Sequence, residues 1–100
     1  MVKHIVMWTL KESAQGRSKV ENARMMKEKL EALVGVVPGL LRAEVGIDFE
    51  RSEQSYDVSL YTEMDSRESL HIYQNHPAHL AAVGFIREVR DQRCVVDYEV

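Results

Sequence analysis

The segment from Lys3 to Lys11 alternates as a strand does, yet both of its faces are mainly apolar. His4, Val6, Trp8 and Leu10 fall on one side and Ile5, Met7 and Thr9 on the other. Successive side chains of a strand point to opposite faces, so a strand of this kind needs cover on both. The closing segment makes the same demand, with Cys94, Val95 and Val96 in succession. An antiparallel sheet that faces water on one side alternates apolar and polar more strictly. A chain of 100 residues makes one domain, residues 1–100, and is short of material to cover both faces alone.

The remaining pattern says what covers one of them. After a polar connector, Ser13 to Arg17, the pair Ser18 and Glu21 fits a capping box that opens a helix. Val20, Ala23, Met26, Leu30, Leu33 and Val37 then recur at spacings of three and four, an amphipathic helix that Pro38-Gly39 stops. Ala43 to Phe49 alternates as a strand, Glu50 to Ser55 is a polar loop, and Tyr56 to Met64 is a third strand. Asp65 and Glu68 form a second capping box for a short helix through Leu70 and Tyr73. His76-Pro77 breaks it, since proline disfavours helical geometry in the residue before it, and Pro77 opens another helix to about Val89. Arg93 to Val100 is the last strand.

This order, β-α-β-β-α-α-β, is that of the ferredoxin-like split βαβ unit: an antiparallel four-stranded sheet with helices on one face, in the α+β class. The other face is then buried most simply against a second copy, because two-fold homodimers are the commonest assemblies. The closing strand could also reach across to that copy. A monomer whose open face is capped by loops is the alternative.

Composition removes several function classes. A net charge of −3 with scattered Lys and Arg gives no basic field for nucleic acid. No apolar run approaches the roughly 20 residues of a membrane span, and no secretory leader is evident, so a cytoplasmic location is expected. One cysteine, Cys94, makes no internal disulfide or CxxC pair and reads as a small buried hydrophobe. His76 and His79 are three apart with a proline between them and no carboxylate close by, so no metal site is expected; phosphate loops and nucleophile elbows are absent, and no cofactor is implied.

Val2-Lys3-His4-Ile5-Val6, then Tyr56-Asp57-Val58-Ser59-Leu60, then Ser66 to Leu70 with Tyr73 and His76-Pro77-Ala78-His79, and finally Val95-Val96-Asp97-Tyr98 together resemble the stress-responsive A/B barrel (Dabb) family. The resemblance runs over nearly the whole chain and implies a dimeric α+β barrel, two ferredoxin-like subunits packed sheet to sheet. Many members of the family have no assigned activity. In its olivetolic acid cyclase branch, a tyrosine and a histidine carry a cofactor-free aldol cyclisation. The motif Tyr-x-x-His-Pro-Ala-His matches that pair to Tyr73 and His79 here, and His4 matches a histidine that opens the cyclase's first strand. A further tyrosine on the cyclase's first helix is replaced here by Leu30. A shared motif does not by itself carry shared chemistry.

The residues can be read on their own terms. His79 shares a helix face with Val83 and Ile86, so it points inward; a neutral imidazole there can act as general base, with Tyr73 orienting it or donating to a developing oxyanion. It can equally be a buried histidine bonded to a backbone carbonyl, pinning the helix start. Tyr73 shares a face with Leu70 and can be core. His4 can line a cavity or bond within it, His76 suits a helix cap, and His71 lies on a polar side. Three functions follow: a cavity, lined by His4, Trp8, Tyr73 and His79, that binds an apolar or aromatic molecule; a cofactor-free cyclase-like or monooxygenase-like enzyme with His79 as base; or a structural stress-related dimer without catalysis.

Overall fold

β1 (Val2–Leu10) runs through the interior of a four-stranded sheet and carries the residues on which the rest of the chain is hung. In the computed structural model, which describes residues 1–100, the chain continues through β2 (Ser13–Ala14), β3 (Arg17–Ser18), α1 (Lys19–Glu31), β4 (Leu40–Ile47), β5 (Val58–Met64), α2 (Arg67–Asn75), α3 (Pro77–Val89) and β6 (Arg90–Glu99). The sheet order is β4-β5-β1-β6, antiparallel throughout. This is the ferredoxin-like α+β architecture expected from the element order. No helix is long and apolar enough to cross a membrane.

Alternation places Val2, His4, Val6, Trp8 and Leu10 of β1 and Val58, Leu60, Thr62 and Met64 of β5 under the helices, all buried. From α1, Ala23, Met26 and Leu30 close over them, and from α3 Ala82, Ile86 and Val89. The α1 cap is as read: Ser18 Oγ accepts from Glu21 N–H at 3.2 Å and the Glu21 carboxylate accepts from Ser18 N–H at 3.1 Å. Those bonds favour the ionised acid and hold the Glu21 carboxyl below the usual range.

Several local expectations shift. The helix stops at Glu31 rather than Val37; Gly35 takes φ +88° and turns the chain, while Leu33 and Val37 remain buried in the turn that follows. The polar connector is a small hairpin, with Gln15 and Gly16 both at positive φ and Ser13 paired to Ser18. The second cap moves by one residue: Ser66 accepts from Ser69 N–H at 3.1 Å, and Asp65 instead accepts from the Ser69 hydroxyl. β4 ends at Ile47, because Asp48 turns the chain by accepting from Arg51 N–H, and Phe49 is left 89% exposed. β6 follows α3 with no linker, starting at Arg90 rather than Arg93. Cys94 is only half-buried, because it lies on the face the helices do not cover.

Gly39 tests how α2 is seated. It takes φ +80°, and a Cβ there would lie 2.2 Å from Ser69 Oγ. Gly39→Ala is expected to lose about 1–2 kcal/mol to backbone strain and about 1–3 kcal/mol more to the clash. Gly35→Ala, with nothing within 4 Å of the new methyl, should lose only the first part. Urea unfolding of the two variants compares them directly; equal losses would show that Ser69 yields freely.

The second sheet face carries no helix. Its pairs run Tyr61–Ile5–Val96 and Ser59–Met7–Cys94 across β5, β1 and β6. Val96 is 52% and Met7 39% exposed, and Tyr98 continues the strip toward the sheet end. Lys3 and Arg42 each stand 5.7 Å from the Tyr61 ring centre, so polar groups rim an apolar middle.

Candidate functional site

Between the covered face of the sheet and the helices lies a cavity of about 330 Å³. His4, Val6 and Trp8 of β1 and Leu60 of β5 form its floor; Leu30 of α1 and Val83 and Ile86 of α3 close it above. A larger hollow of about 640 Å³ lies at the far end of β1. It is an open cleft in which Lys19 already pairs, 3.2 Å from Glu12 and 3.3 Å from Asp57. The smaller cavity gathers the chemistry-bearing side chains.

His4 sits on the helix side of β1, 3% exposed. Its register partner on β6 is Asp97, and the His4 Nδ1 bonds the Asp97 carboxylate. An ionised carboxylate only accepts, so Nδ1 carries the hydrogen and, in the neutral ring, Nε2 keeps the lone pair. Beneath the ring, Thr62 Oγ1 donates to the His4 carbonyl at 2.7 Å and fixes the backbone.

His79 is delivered by the break between α2 and α3. His76 ends α2 in extended geometry, and its Nδ1 accepts from Ala78 N–H at 3.1 Å. With Pro77 at the first position of α3, this cap places His79 in the helix's first turn, half-buried against the cavity. The His79 Nδ1 lies 3.4 Å from the Gln74 carbonyl, a long bond in which the ring must be the donor. Its Nε2 is therefore an acceptor as well. Burial pushes the His79 imidazole below its ordinary pKa; the Gln74 carbonyl opposes this, and positive charge at His4, Arg93 and His76 adds to it.

Tyr73 stands behind the two imidazoles. Its ring centre is 4.1 Å from that of His79 and 6.0 Å from that of His4, the latter edge to face. It is 1% exposed and does not itself line the cavity. Burial pushes its phenol well above the ordinary value, so it stays protonated and is a donor, never an acceptor of a proton at neutral pH.

The structure thus brings His4, Trp8 and His79 to one cavity, with Tyr73 in contact behind them. His76 is a cap and His71 is exposed. Leu30, where the cyclase branch has a tyrosine, does line the cavity. Unforeseen in the sequence were Asp97, Gln74 and the three arginines Arg87, Arg90 and Arg93, all on or beside the lining. The spacing of Arg87, Arg90 and Arg93 at every third residue was a signal, but it straddles a helix and a strand. No group of three His, Cys, Asp or Glu side chains is placed to hold a metal ion.

The family model for the stress responsive A/B barrel domain matches residues 2–100. Among solved structures, a dimeric protein of unknown function with a ferredoxin-like fold from Bacteroides fragilis is 31% identical, with a TM-score of 0.87 over 99% of this chain and 95% of that one. A hydroxynitrile lyase from Passiflora edulis is 15% identical, with a TM-score of 0.79 over 97% and 90%. A putative antibiotic biosynthesis monooxygenase from Nitrosomonas europaea is 16% identical, with a TM-score of 0.75 over 100% and 98%. The last two likenesses are of fold alone. No curated protein matches the sequence.

Proposed function

Because the chain belongs to the stress-responsive A/B barrel domain family, we propose that it works as a homodimer packed sheet to sheet. Each subunit takes a small molecule with an apolar or aromatic body into the cavity between sheet and helices. The cavity itself carries this reading. Its volume of about 330 Å³ lies at the lower end of the range usual for ligand sites, about 300–1,000 Å³, and six of its twelve lining residues are hydrophobic. A single, unpaired Cys94 suits a reducing, cytoplasmic setting.

The sheet-to-sheet mode is supported by the uncovered strip of Ile5, Met7, Val96 and Tyr98, and the dimeric state by the dimeric protein from Bacteroides fragilis. A second reading, catalysis, is favoured by one observation: His79 is held neutral by burial with its Nε2 unencumbered. That is the state a general base needs to take a proton from carbon beside a carbonyl, with the Tyr73 ring packed against the imidazole to orient it and no cofactor.

Filling the cavity tests the first reading. With 2-naphthol as a neutral aromatic probe, titration calorimetry should detect binding to the parent chain. Val83→Trp, which places an indole in the lining, should weaken it at least tenfold while the melting transition stays cooperative. Unchanged affinity in a folded Val83→Trp variant would place the binding elsewhere.

A further inference from the structure

The cavity's charge is unlike that of the chain around it. The protein as a whole is acidic, with 16 Asp and Glu against 13 Lys and Arg. Yet the twelve lining residues include Arg87, Arg90 and Arg93 and not one carboxylate. None of these three arginines belongs to an ion pair; the cations that do are His4, Lys19, Lys27, Arg42 and Arg67. Arg90 has only the Asp91 carbonyl, at 3.1 Å. They converge because α3 runs into β6 without a linker: Arg87 comes from the last turn of the helix, Arg90 from the junction, and Arg93 from the strand, where its register partner is Trp8.

A second observation lies beside them. The indole of Trp8, 4% exposed and part of the cavity floor, has the one buried side-chain polar atom in the chain without a hydrogen-bond partner, Nε1. Native structures rarely leave a buried donor unused. An oxygen on a ligand is the kind of acceptor it lacks.

The geometry points to an anionic ligand: a molecule whose flat apolar body lies against Val6, Leu30, Leu60 and Val83 and whose carboxylate or phosphate is held at the arginine end. This rests on the cavity being a ligand site and adds the chemical class of what enters it. A guanidinium pairs with either anion through two parallel hydrogen bonds, and three unpaired guanidiniums on one rim attract a negative group more strongly than a neutral one. Gln74, also in the lining, adds a neutral polar contact.

The test compares four probes of one shape on the full-length chain: 2-naphthol, 2-naphthamide, 2-naphthoate and 2-naphthyl phosphate. At low ionic strength at least one of the two anions should bind ten times or more tighter than the naphthamide. The tighter anion identifies the group. The preference should shrink severalfold in Arg93→Gln and in Arg87→Gln, two solvent-facing positions where the substitution leaves the core untouched, and should fall as salt is added. Equal affinity for anions and naphthamide would overturn the charge assignment and leave the cavity reading standing. Failure of all four to bind would overturn both. A full anion preference surviving in the double variant Arg87→Gln/Arg93→Gln would show that the arginines do not provide it.

Discussion

A Val96→Asp variant is expected to run as a monomer at concentrations where the parent chain runs as a dimer. Val96 faces the uncovered side of the sheet, directly paired with Ile5 and flanked along β6 by Cys94 and Tyr98. In a two-fold interface every substitution appears twice, so two carboxylates enter an apolar strip with no cation at its middle. Burying an unpaired charge costs several kcal/mol, so a loss of dimer affinity of about a thousandfold or more is expected. Lys3 and Arg42 are occupied at the rim by the Tyr61 ring and do not reach the centre. Leu80→Asp is the control: Leu80 is 52% exposed on α3, on the helix side of the sheet, and its replacement should leave the mass unchanged. Analytical ultracentrifugation of the three chains decides it. A Val96→Asp protein that remains dimeric would place the interface on another surface.

His79→Ala is expected to remove general-base activity while leaving the fold intact. The readout is deuterium exchange into the α-position of propiophenone in heavy water, followed by proton NMR. It asks only for proton removal next to a carbonyl. Loss of a positioned base lowers such rates by about 10²–10⁴-fold. His79 is half-buried at a helix start, so truncation leaves a small void and a folded protein. The pH profile separates base from scaffold. The groups around the ring are His4 from β1, Arg93 from β6, and Tyr73 and His76 at the α2–α3 break. Burial, with the positive charges beyond it, lowers the imidazole below 6.5. The base form therefore persists as pH falls through the ordinary histidine range, and the rate should decline only below it. A decline centred at or above 6.5, or full exchange in His79→Ala, would dismiss the base role.

Much of this was legible because local chemistry repeats faithfully. Ser18 and Glu21 announce a cap whose geometry depends on three residues, and His76-Pro77 announces a helix break for reasons confined to the backbone. The doubly apolar β1 predicted cover on both faces, of which the chain itself supplies one. What escaped depends on distance along the chain. His4 finds Asp97 across 93 residues, a contact set by strand register. The arginine rim exists only because α3 passes directly into β6; with the linker expected there, Arg90 and Arg93 would have no common address. Periodicity overran the end of α1 because Leu33 and Val37 are buried, but by a turn around Gly35 rather than by helix. Tyr73, expected from its motif to line the cavity, packs instead behind the His79 ring.

The central claim is that the cavity beneath α3 is where this protein meets its ligand. Long-range proton–nitrogen NMR of the four histidine rings, recorded while 2-naphthol or 2-naphthoate is added, tests it most directly. His79 should appear as the Nδ1–H tautomer, the ring signals of His4 and His79 should move together and saturate, and exposed His71 should stay still. A folded protein in which the probe binds yet neither His4 nor His79 responds, or in which only His71 does, would contradict it.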